Sequence, residues 1–277
     1  MVLESILSIE GVKKNPKSTF ILGIVYAVIA IIVGYFVFPS NPSLAIIFLT
    51  TFAALPMLIN VLVHEEGETM EFIKSARNLP LIGTHLDVFL VFTYMFFGFL
   101  VCFLMVYIVS PFDLASLLFS EQIKTIQAIL GSGFISGKLI AENVFSFGTA
   151  AALANTSFAV EESMRIILFN NLKVLLFALL FSFLYGAGAI FILAWNASIL
   201  AVAMGNLIKQ RIAEIGAVAG LGLVAAYFQA GSFSVIRYFI HGIPELSAYF
   251  LGAVAGGIIS AAVVNSCLLY TSPSPRD

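Results

Sequence analysis

Uncharged runs at 18 to 63, 88 to 112, 174 to 208, 215 to 236 and 246 to 275 alternate with short polar stretches, and this pattern organises the whole chain. The first run is too long for one crossing. Phe38-Pro39-Ser40-Asn41-Pro42-Ser43 divides it, because two prolines and turn-forming residues stop a helix. The spans 19–38 and 44–63 result, each close to the roughly 20 residues that a bilayer core requires, and they form a tight helical hairpin. A third span is expected at 88–109 and a fourth at 172–194. As one helix the 174 to 208 run would measure about 52 Å against a core of about 30 Å. A break is therefore expected at Trp195-Asn196, where an indole suited to the interface precedes a helix-capping amide, making 197–208 a half-helix or re-entrant segment. Further spans follow at 215–231 and 244–266.

The fold class so predicted is all-α: a polytopic membrane helical bundle of about six transmembrane helices, with a broken or re-entrant half-helix and an amphipathic external region, forming one integral membrane domain over 1–266. The external region is 110–171, too long for an idle connector. Within it Leu114, Leu117, Leu118, Ile123, Ile126 and Ile129 make an apolar stripe suited to a membrane surface or an extracellular cap. A second helical segment is expected from Val160 into the fourth span, and Asn155-Thr156-Ser157 is a glycosylation sequon.

Composition places the chain among multipass membrane proteins: 61% hydrophobic residues, 10% charged and a mean hydropathy of +1.07. A formal charge of -2 argues against nucleic acid as a partner, which would need a basic face. No cleavable leader is expected ahead of the first span. Lys13, Lys14, Lys17, Lys74, Arg77, Lys209 and Arg211 place the N-terminus and the 64–87 and 209–214 loops in the cytoplasm of a cell-membrane protein. Should 197–208 cross completely, the parity of everything after it inverts. One codon choice for the last residues, Cys267 to Asp277, resembles a sequencing-library adapter, so 267–277 is expected to be an artefactual tail. Cys102 is then left alone in an apolar run, where a buried hydrophobic role is expected and neither disulfide nor cysteine metal site follows.

Chemistry-bearing residues are few. His241-Gly242-Ile243-Pro244-Glu245-Leu246 sets an imidazole and a carboxylate four residues apart where an apolar run opens. Pro244 and Glu245 also suit a plain helix start, and the pair alternatively serves a hydrogen-bond network, a partner site or acid–base chemistry. One His and one Glu are too few for a closed zinc site. Asn170, Asn171, Asn196 and Asn206 are amides in apolar surroundings, which bond neighbouring helices or line a solute path. The Gly/Ala-rich stretches 216–230 and 252–257 are expected to pack closely. Glu161-Glu162-Ser163-Met164-Arg165 misses the spacing of intramembrane prenyl-type proteases, and Gly131 to Lys138 lacks both the spacing and the magnesium-binding hydroxyl of a phosphate loop, with Leu139 in that place. His64, Glu65, Glu66, Glu68 and Glu71 read as a solvated helix start rather than a metal site.

The pair Asn170-Asn171 before an apolar helix, Asn196 closing it, the glycine-rich spans and His241-Gly242 with Glu245-Leu246 opening the last helix resemble the stage II sporulation protein M family over about 160 to 266. The resemblance implies an all-helical multipass protein that organises membrane partners and is not itself a hydrolase. The function expected is a non-enzymatic membrane scaffold, a homo-oligomer in the lipid bilayer with envelope partners bound through 110–171. Its polar cluster would be Asn170, Asn171, Asn196, His241, Gly242 and Glu245, with no catalytic residue, cofactor or metal. The alternatives are a small-solute or ion transporter using His241 and Glu245, and an intramembrane hydrolase for which no nucleophile is evident.

Overall fold

The computed structural model describes residues 12, 15–74, 86–130, 172, 176, 187–215, 222–236 and 238, and these form seven helices with no strand among them. α1 is Ser18–Val37, α2 Pro42–Lys74, α3 Leu86–Val109, α4 Phe112–Leu118, α5 Ser120–Leu130, α6 Ala187–Ile215 and α7 Gly222–Ile236. α1, the Pro42–Leu62 part of α2, α3 and the Ile190–Ala213 part of α6 are each long and apolar enough to cross a membrane. The protein is an all-α membrane-embedded helical bundle.

α1 and α2 are joined through the Pro39–Asn41 turn, where Phe38 N–H closes back on Gly34 O and Asn41 N–H on Phe38 O. α2 continues beyond its span to Lys74, so the polar stretch that starts at His64 extends the same helix instead of starting a new one. Pro56 lies inside α2. Its ring removes one backbone donor, a loss that a packed membrane helix tolerates better than an isolated one.

α3 is the hub, with α1 and α6 packed along it. Its buried face repeats Phe92, Phe96, Phe99 and Phe103 at helical spacing, each fully buried. Phe119, between α4 and α5, meets the Phe103 and Tyr107 rings edge-on at centroid distances of 6.1 and 5.6 Å. α1 lies parallel to α3 and touches it through glycine: a Cβ on Gly23 would stand 2.7 Å from the Met95 carbonyl oxygen, and one on Gly98 would collide with the Phe20 carbonyl. Lipid supplies little hydrophobic drive between helices, so such backbone approach supplies the dispersion contact. The Thr19 hydroxyl lies in the same interface, 2.6 Å from Pro16 O and 3.1 Å from Val91 O across it, and shares its one hydrogen between them.

Two further expectations are corrected. α6 runs without interruption through Trp195 and Asn196, where a break was expected, and Gly188 stands in its first turn. The Asn196 amide nitrogen donates to Ile192 O at 2.9 Å, one turn back, so the polar side chain is accommodated without ending the helix. Beyond it Ala197, Ala201, Val202 and Met204 are buried, giving the following residues a packed face instead of an interfacial one. The second correction concerns the 209–214 stretch, which charge placement grouped with the N-terminus and the 64–87 loop. Lys209 Nζ donates to Ser110 O at 3.1 Å, at the finishing end of α3, whereas Lys17 leads into the Thr19–Val91 contact near the starting end. Lys209 therefore shares its end with Ser110. The charge rule orients loops only when the crossings between them are counted correctly. The fourth and sixth expected spans, 172–194 and 244–266, lie largely or wholly outside the described residues. α7, the described part of the chain near the fifth, covers Gly222–Ile236.

Candidate functional site: a buried polar bridge under the helical cap

α4 and α5 follow α3 and fold back over α2 and α6. Of the expected apolar stripe Leu118 and Ile126 face inward, joined by the buried Ala115 and Phe119, whereas Leu117 is exposed. Gln122 interrupts the stripe. It sits four residues from both Leu118 and Ile126, on the buried side, and is itself 0% exposed.

Gln122 is held by two hydroxyls from two other helices. Ser43 Oγ donates to Gln122 Oε1 at 2.7 Å, and Gln122 Nε2 donates to Ser198 Oγ at 3.1 Å. Ser198 Oγ passes its own hydrogen to Trp195 O at 2.7 Å, while Glu121 N–H donates to Ser43 Oγ at 3.2 Å. Ser43 and Ser198 are 1% and 0% exposed. The donors follow one direction, from Ser43 through the Gln122 amide to Ser198 and the Trp195 carbonyl. Ser198 has given its one hydrogen to Trp195 O and so accepts from Gln122 Nε2, which turns the amide oxygen toward the Ser43 hydroxyl.

Each partner is placed by its local sequence. Ser43 lies in the first turn of α2, directly after the proline that starts the helix, and it caps an otherwise unpaired N–H in the first turn of α5. Ser198 sits four residues after Ala194 and four before Val202, both fully buried, and so shares their face of α6. No buried side-chain nitrogen or oxygen among the described residues is without a hydrogen-bond partner. The interior polar atoms are thus spent on one another and on backbone, an arrangement that fastens the cap to two membrane helices and excludes alternative registers.

Outside the bridge, Trp195 stacks on Phe191, and Phe191 packs on Phe48 of α2 at 5.1 Å. α7 rests on α6 through a stripe of small side chains: Ala226, Ala230 and Ser234 are buried, and Ser234 Oγ reaches Met204 O at 3.4 Å. Arg211 of α6 lies over the Phe233 ring at 4.9 Å. Among the described residues no group of three His, Cys, Asp or Glu side chains is arranged to hold a metal ion.

Of the site residues expected from the sequence, Asn196 alone is described, and its amide nitrogen turns back to its own helix. Asn170, Asn171, His241, Gly242 and Glu245 lie outside the described residues. Sequence reasoning passed over Ser43, Gln122 and Ser198. The available signal was Gln122 itself, a polar residue on the apolar stripe at the register where leucine or isoleucine would be expected. Searching for the chain's relatives gives nothing: no family model, no curated protein and no solved structure matches it at a significant level.

Proposed function

We propose that the chain is a non-enzymatic integral membrane scaffold, of the kind represented by the stage II sporulation protein M family, acting as a homo-oligomer in the cell membrane with its N-terminus in the cytoplasm. The observation that carries this reading is the Ser43–Gln122–Ser198 bridge, in which interior polar groups are committed to holding helices together. A scaffold needs a fixed surface more than a moving interior, and a satisfied buried network favours one arrangement of its helices. The cap that the bridge secures belongs to 110–171, the region assigned to envelope partners. Its outer side carries Phe112 and Leu117, both exposed, beside the exposed Lys124–Glu121 pair.

The rival reading is transport through a discontinuous helix with His241 and Glu245 at the solute site. Its premise of a break at Asn196 conflicts with the continuous α6. Reconstitution of the full chain in liposomes separates the two readings. The scaffold reading expects no pH-driven flux above that of empty vesicles, together with a concentration-dependent oligomer in nanodiscs that Glu245→Gln weakens. A proton or solute flux that Glu245→Gln abolishes would overturn it in favour of transport.

A further inference from the structure

The finishing end of α3 and the last turns of α6 meet in a second polar contact, separate from the bridge. Lys209 Nζ donates to Ser110 O and stands 4.9 Å from the centroid of the Tyr107 ring. That ring lies against Gly205, one turn before Lys209, where a Cβ would stand 2.5 Å from Tyr107 Cδ1. Gly205 thus leaves room for the ring, and the ring supports the ammonium.

Both partners of this ammonium are neutral, and among the described residues Lys209 forms no ion pair. Asp113, three residues beyond Ser110, is exposed and does not pair with it. An ammonium has three N–H donors, of which Ser110 takes one and the Tyr107 face engages the charge. Lys209 is only half-buried, so a further acceptor has access. Depth fixes what that acceptor is. Tyr107 and Ser110 bracket the end of the α3 span, and Lys209 stands four residues before the end of the α6 span, so all three occupy the level where tyrosine and snorkelling lysine meet lipid headgroups. Arg211, two residues further on, faces α7 instead and lies over Phe233, so Lys209 is the cation of this contact.

We propose that Lys209, backed by Tyr107, binds the phosphate of an anionic phospholipid. The phosphate supplies the counter-charge that no described side chain gives Lys209, and the acyl chains run down beside the apolar spans.

The test is thermal unfolding of the purified full chain in neutral detergent, with added phosphatidylglycerol, phosphatidylcholine or inorganic phosphate. Phosphatidylglycerol should raise Tm by about 5 °C, a shift of the size that ligand linkage gives a chain of this length, with little effect from the other two. Lys209→Gln should remove that lipid-induced rise, whatever its baseline Tm, whereas Lys209→Arg should keep most of it. A rise that survives Lys209→Gln, or that phosphatidylcholine matches, overturns the site. An equal rise with inorganic phosphate also overturns it, as a free-anion site in place of a lipid one. If Lys209→Gln does not fold, native mass spectrometry of the unaltered chain decides. Retention of phosphatidylglycerol over phosphatidylcholine at matched concentration supports the proposal, and equal retention rejects it.

Discussion

The α1–α3 interface and the cap over α2 and α6 join helices by opposite means. At the first, Gly23 and Gly98 bring backbones together by having no side chain, and the contact depends on shape. At the second, Ser43, Gln122 and Ser198 join three helices through directional bonds, and the contact depends on chemical identity. Hydrocarbon surroundings explain why both are needed. Lipid is as apolar as leucine, so leucine content alone selects no partner, whereas a close backbone fit or a polar pair does. A close fit tolerates no added volume. A polar pair tolerates volume changes better than the loss of a partner.

The comparison can be broken at its most rigid point first. Gly98→Leu drives a side chain into the Phe20 carbonyl, and we expect a loss beyond the roughly 1–3 kcal/mol of ordinary overpacking, because backbone must move. Unfolding in nanodiscs should show a chain that no longer folds cooperatively.

Gln122→Glu tests the polar side. The carboxylate keeps the shape but loses the donor to Ser198, and it places a charge in a fully buried position, for several kcal/mol. A Tm equal to that of the unaltered chain at neutral pH would argue against the bridge.

Gly205→Ala is intermediate. Its methyl meets the Tyr107 ring, a side chain with some freedom to shift, so a cost of about 1–2 kcal/mol is expected by denaturant titration. Ser198→Ala removes one hydroxyl from the bridge and should cost about 1 kcal/mol. A double-mutant cycle with Gln122→Leu should show the two effects to be less than additive. The smallest effect is expected from Ser234→Ala, at most about 0.5 kcal/mol, since its bond to Met204 O is long at 3.4 Å. A larger loss there would make α7 a more integral part of the bundle than its small-residue contact implies.

Legibility from sequence followed the range of the interactions. The α1–α2 turn was readable because prolines act on their own neighbours, and α3 because an apolar run of one span length allows few alternatives. Asn196 was misread for a related reason: a helix-capping side chain and a back-bonded one have the same identity, and the carbonyl it bonds at Ile192 decides between them. Gln122 was passed over because its neighbours in sequence describe an amphipathic helix adequately without it. Its partners are 79 and 76 residues away.

Hydropathy by itself therefore determined that this is a membrane-embedded, all-helical chain, because the cost of unpaired backbone groups in hydrocarbon leaves a long apolar run little choice but a helix. Tertiary structure alone decided which helices touch and which polar residues bridge them. Those outcomes rest on contacts between residues far apart in the chain, where the fit of a glycine to a carbonyl or of a serine to an amide is a matter of tenths of an ångström that no local pattern records.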